Sequence, residues 1–143
     1  MTVRRTPPRH RVVAGAAAKP MLGHLSFGVA DLERAGKFYD AVLSALGCVR
    51  VWSEANGIGF GEPGQGDKLA LFAKGREARA PGPGFHLAFN APSRAAVDAF
   101  HVVALATGGT DGGAPGLRLN YSPTYYAAFV FDPDGYKLEA VHQ

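Results

Sequence analysis

Short stretches in which hydrophobic and polar residues alternate predict β-strands along most of the chain. In the first of them, GHLSFGVA, the side chains of Leu25, Phe27 and Val29 fall on one face. His24 and Ser26 fall on the other face, and this period of two is typical of a half-buried strand. Similar runs between glycine, asparagine and proline residues predict further strands near residues 49–54, 57–61, 68–73, 85–90, 115–119, 124–131 and 136–142.

Two longer stretches carry apolar residues at helical spacing. Asp31 and Ser93 are candidate N-cap residues, because their side-chain oxygens can accept a hydrogen bond from the first helical turn. Gly47 and Gly108 stand where helix-ending glycines belong. The apolar stripes predicted to face the core are Leu32, Ala35, Phe38, Val42 and Leu46 in the first helix and Val97, Phe100, Ala104 and Leu105 in the second.

A repeat with an offset of 62 residues relates the two halves of the chain. It places His24 on His86, and the runs that follow them, LSFGVA and LAFNAP, share one pattern. Near the end of each half the offset becomes 69, which places Ala70 on Glu139. Each half has the element order β-α-β-β-β, so the sequence predicts an α+β fold of two tandem βαβββ modules.

The chain divides into a tail and one domain. Residues 1–20 hold five of the 15 Lys and Arg residues, no Asp or Glu, and no strand or helix period, so we expect a disordered basic tail. A transit peptide or a nucleic-acid-binding arm is the alternative, although the tail lacks the serine typical of transit peptides. Within residues 21–143 we expect one module at about 21–73, a linker at 74–83 and a second module at about 84–143.

The net charge of +3 comes from the tail, because the rest of the chain holds 10 basic and 12 acidic residues. The domain is therefore not a nucleic-acid-binding domain by charge. No apolar run approaches the roughly 18 residues that span a bilayer, so we expect no membrane association. The single cysteine, Cys48, excludes an internal disulfide and a cysteine-cluster metal site, and it fits a reducing, cytoplasmic environment.

Three candidate metal ligands share the face of the predicted strands that points away from the helices. His24 and His86 occupy equivalent positions of the repeat, and Glu139 lies on the last strand. Two imidazoles and one carboxylate are the ligands of a facial triad, which leaves coordination positions open for substrate oxygens. A histidine on a strand is more often an ordinary polar residue, but the repeat and the nearby carboxylate favour a metal site. Ala70 replaces a fourth ligand.

These segments resemble the vicinal oxygen chelate superfamily, which includes glyoxalase I, bleomycin-resistance proteins and extradiol dioxygenases. GHLSFGVADLERAGKFYDAVLSALG resembles its first strand and helix, and FVFDPDGYKLEAV resembles its closing strand pair. The resemblance covers residues 21–142 and is closest to small glyoxalase-like bacterial proteins that share AFNAPSRAAVDAFH and YxPxYYAAFV. It implies a cup-shaped, mostly antiparallel sheet around one divalent ion, Mn, Fe, Ni, Co or Zn, held by His24, His86 and Glu139. It also implies a homodimer.

Departures from the family pattern argue against some of the reactions known in the family but do not identify one. Ala70 argues against an ordinary glyoxalase I, which usually has all four ligands. The stretch LNYSPTYYAA is aromatic where fosfomycin-resistance thiol transferases carry basic and serine residues. The chain is too short for a typical two-domain extradiol dioxygenase. Bleomycin-binding relatives lack the triad altogether.

Aromatic residues before the last hairpin are candidates for substrate contact. Tyr125 and Tyr126 are adjacent, so only one of them can face the cup. We assign catalytic roles to Glu139 and Tyr126. The residues assigned to substrate binding are Ser26, Trp52, Asn90, Tyr121 and Tyr125.

Two functions remain open at this point. The first is a divalent-metal-dependent enzyme that chelates vicinal oxygens of a small substrate, in lyase or isomerase, dioxygenase or thiol transferase chemistry. The second is a metal-independent protein that binds a drug or metabolite, as bleomycin-resistance proteins do. The sequence does not decide whether the two modules form the cup within one chain or across a dimer.

Overall fold

The computed structural model describes residues 19–143, so nearly all of the predicted tail lies outside the described residues. Within these residues, two helices and eight strands follow one another in the predicted order. They are β1 (Leu25–Val29), α1 (Leu32–Ser44), β2 (Val49–Ser53), β3 (Gly57–Gly61), β4 (Leu69–Ala73), β5 (Leu87–Asn90), α2 (Arg94–Ala106), β6 (Thr110–Leu117), β7 (Tyr126–Phe131) and β8 (Lys137–His142). The predicted linker carries one 3₁₀ turn, Gly75–Glu77.

Both helices begin at the predicted cap residues. The side chain of Asp31 accepts a hydrogen bond from the backbone N–H of Arg34 at 3.0 Å. The Ser93 hydroxyl oxygen accepts one from the N–H of Ala96, also at 3.0 Å. After α1, Gly47 has a φ of 85°, a conformation that glycine adopts without the steric cost of a Cβ.

The eight strands form two four-stranded sheets with the same internal order, β1-β4-β3-β2 and β5-β8-β7-β6. In each sheet the first pair is parallel and the other two pairs are antiparallel. The register places Ser26 opposite Ala70 in the first sheet and Ala88 opposite Glu139 in the second. The α+β fold of two βαβββ modules is therefore confirmed, and Ala70 and Glu139 occupy equivalent places in it.

One hydrophobic core joins the two modules. Helix α1 packs on the first sheet, α2 packs on the second, and the helices contact each other. Phe38, Leu71, Phe100 and Leu138 are among its fully buried members. Leu105 was expected in the α2 stripe but is 44% exposed, because the contacts of α2 run along Val97, Phe100 and Ala104.

The turn between β7 and β8 attaches the second module to the first. Tyr39 of α1 donates its hydroxyl hydrogen to Asp132 at 2.5 Å, and both side chains are buried. The Tyr136 hydroxyl donates to the carbonyl of Gly28 at 2.7 Å, and its ring stacks on Phe27. Burial raises the pKa of Asp132, against the effect of its hydrogen bond with Tyr39. These contacts fix where the C-terminal end of β1 lies.

Strand β6 extends five residues further toward the N-terminus than the alternation predicted. Its sequence, TDGGAPGL, is rich in glycine and proline and gives little strand signal. Pairing with β7 imposes the extended conformation, with irregular register at Asp111, Gly113 and Gly116. Among residues 19–143, no helix is long and apolar enough to cross a membrane.

Candidate metal and substrate site

His86 and Glu139 meet on the face of the second sheet that points away from α2. Leu138 and Ala140 of β8 belong to the core, so the alternation of the strand turns Glu139 to the opposite face. His86 directly precedes β5, which runs parallel to β8. The Nε2 atom of His86 lies 3.0 Å from Oε1 of Glu139. Two of the three predicted metal ligands are therefore in contact.

The Glu139 carboxylate is buried, and Tyr125 covers it. Glu139 is 1% exposed, whereas the His86 side chain is 44% exposed. The Tyr125 hydroxyl donates to Oε2 of Glu139 at 2.5 Å. Burial, followed by this bond to the carboxylate, raises the pKa of Tyr125 to about 12. Tyr125 therefore remains a protonated donor at neutral pH and orients the carboxylate, with the other oxygen toward His86.

His24 lies apart from this pair within the chain. Tyr136 bonds the end of β1 and packs its ring near Phe85, just before β5. Leu69, which is opposite the first residue of β1, lines a cavity together with Asn90 at the end of β5. Strands β1 and β5 therefore run in opposite directions, so that the first residue of each strand lies near the last residue of the other.

The two histidines precede these strands and are separated accordingly. A strand of five residues spans roughly 17 Å, too far for both imidazoles to reach one ion. Among residues 19–143, no group of three or more His, Cys, Asp or Glu side chains is placed to hold a metal ion. The expected grouping of His24 with His86 and Glu139 is therefore not found within one chain.

Tyr126, to which a catalytic role was assigned, lies on the helix side of its strand. Its hydroxyl donates to Oδ1 of Asp98 on α2 at 2.6 Å. This bond raises the pKa of Tyr126. As the first residue of β7, Tyr126 points to the helix side, whereas Tyr125 precedes the strand and turns toward Glu139.

Ser26 and Trp52 belong to the first sheet and lie away from the His86–Glu139 pair. Ser26 is exposed on β1, opposite Ala70. The Trp52 indole lies against the backbone of β3, since a Cβ built on Gly59 would approach its Nε1 atom to 2.0 Å. Phe72 lies beside it, with ring centres 6.1 Å apart. This surface is apolar and aromatic.

Asn90 and Tyr121 differ in their relation to the site. Asn90 is exposed at the far end of β5 and lines a cavity of about 260 Å³ together with residues of α1 and β4. Tyr121 is 62% exposed, and its ring centre lies 5.0 Å from that of Tyr125. Tyr121 thus extends the aromatic edge beside Glu139, whereas Asn90 belongs to the junction of the modules.

Phe129 and two cations complete the surroundings of the pair. Phe129 is opposite Glu139 in the β7–β8 register, and its ring centre lies 5.8 Å from that of His86. Lys137 Nζ is 5.1 Å from the centre of the Phe129 ring, and Arg118 Cζ is 5.6 Å from it. The alternation of β8 shows that Lys137 shares the face of Glu139. Arg118 was missed: the strand predicted near residues 115–119 included it, whereas β6 ends at Leu117 and Arg118 lies in the loop that follows.

An open cavity of about 450 Å³ adjoins His86. Its lining residues are Pro81, Gly82, Pro83, Gly84, Phe85, His86, Phe131, Gly135 and Lys137. The proline- and glycine-rich end of the linker therefore forms one wall, and the second sheet forms another. A small molecule in this cavity would contact both His86 and Lys137.

Comparison with known proteins assigns the chain to a family. The model of the glyoxalase/bleomycin resistance protein/dioxygenase superfamily matches residues 21–140. The chain belongs to this superfamily. A glyoxalase/bleomycin resistance protein from Albidiferax ferrireducens T118 is 35% identical, with a TM-score of 0.74, and the match covers 87% of this chain and 99% of that one. No match was found among curated proteins.

More distant solved structures of the superfamily share the fold with this chain. Fosfomycin resistance protein FosX from Listeria monocytogenes is 17% identical with a TM-score of 0.62, over 87% of this chain and 93% of that one. A glyoxalase I mutant from Zea mays is 22% identical with a TM-score of 0.65, over 82% of this chain and 45% of that one. The TM-scores show a common fold, and the low identities leave the reaction open.

Proposed function

We propose that the protein is a divalent-metal-dependent enzyme whose metal site is shared between two copies of the chain. His86 and Glu139 of one copy would hold the ion together with His24 of the second. The observation that carries the proposal is the Glu139 carboxylate, which is 1% exposed, lies 3.0 Å from Nε2 of His86 and accepts a hydrogen bond from Tyr125. A buried carboxylate is costly unless a cation or several donors compensate it.

The donor set suits a divalent transition metal. A neutral imidazole and a carboxylate are ligands for Mn, Fe, Ni, Co or Zn, and members of the superfamily commonly use such an ion. When bound, the ion would polarise vicinal oxygens of a small substrate. Tyr125 would hold one oxygen of Glu139, so that the other remains directed to His86. Tyr121 would offer its ring to a flat substrate.

The geometry of the modules supports a homodimer. His24 is exposed at the start of β1, whereas His86 lies near the end of β1 that Tyr136 contacts, so His24 is available to another chain. Strands β1 and β5 are both edges of their sheets. Exposed apolar side chains such as Phe72 and Leu117 favour association with a second copy.

Metal binding by histidine variants tests the proposal. The protein, purified without chelators, should bind one divalent ion per chain in titration calorimetry. His86→Ala, Glu139→Gln and His24→Ala should each abolish that binding and the accompanying rise in Tm. His101→Gln is the matched control, because His101 is bonded to Asp111 on another surface, and it should bind as the wild type does.

Mixing two variants that each bind no metal tests whether the site is shared between two chains. In a heterodimer of His24→Ala and His86→Ala chains, one site combines His24 of one chain with His86 and Glu139 of the other. Random mixing should restore about a quarter of the binding sites of wild type, because half of the dimers carry one intact site. No restoration would reject the shared site, and absence of metal binding by wild type would reject the enzyme proposal.

The alternative is a metal-independent protein that binds a small aromatic molecule. The surface of Trp52, Phe72 and the glycines of β3 supports it, since flat apolar ligands bind such surfaces. Trp52 is the single tryptophan, so its fluorescence would report such binding. This function would be favoured if the wild-type protein binds no divalent ion and a flat ligand quenches the fluorescence of Trp52.

A further inference from the structure

Two cations beside the His86–Glu139 pair have no acidic partner. Among residues 19–143, neither Lys137 nor Arg118 has a carboxylate oxygen within 4.0 Å. Residues 1–18 contain no Asp or Glu that could supply one. A charged side chain left without a counter-ion next to a buried carboxylate points to a ligand of opposite charge.

Both cations lie against the Phe129 ring, and of the two it is Lys137 that lines the cavity beside His86. Lys137 Nζ and Arg118 Cζ lie 5.1 and 5.6 Å from its centre, within the range of cation–π attraction. Arg118 also donates to the carbonyl of Ala114 at 2.7 Å, which fixes one arm of its guanidinium. The cations are therefore oriented in advance, which lowers the entropy lost when a ligand binds.

Lys137 lies next to His86 in the sheet. Leu87 and Leu138 are register partners in the parallel β5–β8 pair, so the residues that precede them are neighbours on the opposite face. Both His86 and Lys137 line the cavity of about 450 Å³. The aromatic side chains of Phe85 and Phe131 line the same cavity.

We propose that this site takes a small organic carboxylate with an apolar body. Lys137 in the cavity and Arg118 at the Phe129 ring contribute two positive charges against the single negative charge of Glu139, so the local charge favours an anion. The carboxylate pairs with Lys137, Arg118 adds to the attraction from the Phe129 ring, and the apolar body packs on the aromatic walls of the cavity. The inference rests on the proposed function in one respect: the oxygen atom next to the carboxylate of the ligand faces the His86–Glu139 pair.

The test measures binding of mandelate and of its neutral amide, mandelamide, to chelator-treated protein by titration calorimetry. Mandelate should bind at least about tenfold more tightly than mandelamide, as expected for a charge-assisted contact. Lys137→Gln should weaken mandelate about tenfold and leave mandelamide unchanged. Arg118→Gln should weaken mandelate severalfold, and added salt should reduce the preference for the acid.

Lys37→Gln is the matched control, because Lys37 lies on α1 and pairs with Glu33. It should bind mandelate as the wild type does. Equal affinity for acid and amide, or wild-type affinity in both the Lys137→Gln and Arg118→Gln variants, would overturn the inference. Because the protein is metal-free, a preference for mandelate that depends on Lys137 would stand even if the metal titration failed.

Discussion

The two modules have the same topology but opposite chemistry on the faces that point away from their helices. In the second module Glu139 lies in the middle of that face, between Ala88 and Phe129. In the first module the equivalent residue is Ala70, between Ser26 and Gly59. The fold therefore depends on the helix-facing residues of each strand, and the other face can change from a carboxylate to a methyl group.

Each face is packed to suit its own central residue. Around Glu139, an imidazole and a phenolic hydroxyl supply the polar contacts that a buried carboxylate needs. Around Ala70, which is 3% exposed, β3 presents glycine and Trp52 lies across it. A carboxylate in the first module would lack the phenolic donor that Tyr125 supplies in the second.

The largest expected effect comes from making the two faces alike. Ala70→Glu places a carboxylate in a buried position, 3% exposed, that lacks the tyrosine donor of the second module. We expect the free energy of unfolding at pH 7 to fall by about 3 kcal/mol, the cost of a buried charge that is not fully compensated. Because burial disfavours the charged form, part of the loss should be recovered as the pH is lowered. Urea unfolding at pH 7 and pH 4 measures both.

Ala70→Gln is the control for size, since it adds a side chain of the same length without a charge. It should lose less stability than Ala70→Glu at pH 7 and show no recovery at lower pH. Equal losses in the two variants would show that the faces differ in volume and that charge has no part in the difference.

Much of the fold was predictable because it depends on local patterns. The period of two, the helical stripes, the caps at Asp31 and Ser93 and the offsets of the repeat gave the element order and the equivalence of Ala70 with Glu139. Strand β6 was predicted too short, since TDGGAPGL is extended by pairing rather than by propensity. Leu105 was wrongly predicted to face the core, because periodicity does not show how many residues on each side of the apolar stripe are buried.

The site was predictable only where strand alternation applies. Glu139 and His86 share a face for that reason, and they are in contact as expected. The choice between Tyr125 and Tyr126 depended on where β7 begins, a boundary that the sequence left uncertain. The separation of His24 from His86 depends on how the modules pack, through Tyr136 and Gly28, which no local pattern shows.

A smaller effect is expected from the phenol that covers Glu139. Tyr125→Phe removes the hydroxyl that donates to Oε2 and leaves a buried carboxylate oxygen without that donor. The free energy of unfolding should fall by about 1–3 kcal/mol, the usual cost of an unsatisfied buried acceptor. Tyr121→Phe is the control, because Tyr121 is 62% exposed and contacts Tyr125 through its ring. Urea unfolding should show little change there, and equal losses would contradict the role given to the hydroxyl.

The smallest effect on stability is expected at the contact that His101 makes with Asp111. His101 is the helix residue equivalent to Tyr39 in the repeat. Tyr39 bonds the buried Asp132 of the other module, whereas His101 bonds the exposed Asp111 of its own, at 2.9 Å. Two hydrogen bonds lower the pKa of Asp111: the larger effect comes from the bond with His101 and the smaller from the N–H of Gly113. A carboxyl with a lowered folded-state pKa adds stability above its unfolded value, about 3.9 for Asp, and that stability is lost as the pH falls through the folded-state pKa.

Asp111→Asn should therefore lower the urea midpoint at pH 7 by less than Tyr125→Phe does, because solvent screens an exposed pair. The difference from wild type should stay constant down to about pH 4 and shrink below it, where the wild-type carboxylate becomes protonated. Unfolding curves collected from pH 7 to the lowest pH at which both proteins fold would measure this. A difference that grows below about pH 4 has the wrong sign for a lowered pKa of Asp111. A difference that stays the same there would show that Asp111 contributes through contacts that do not depend on its charge.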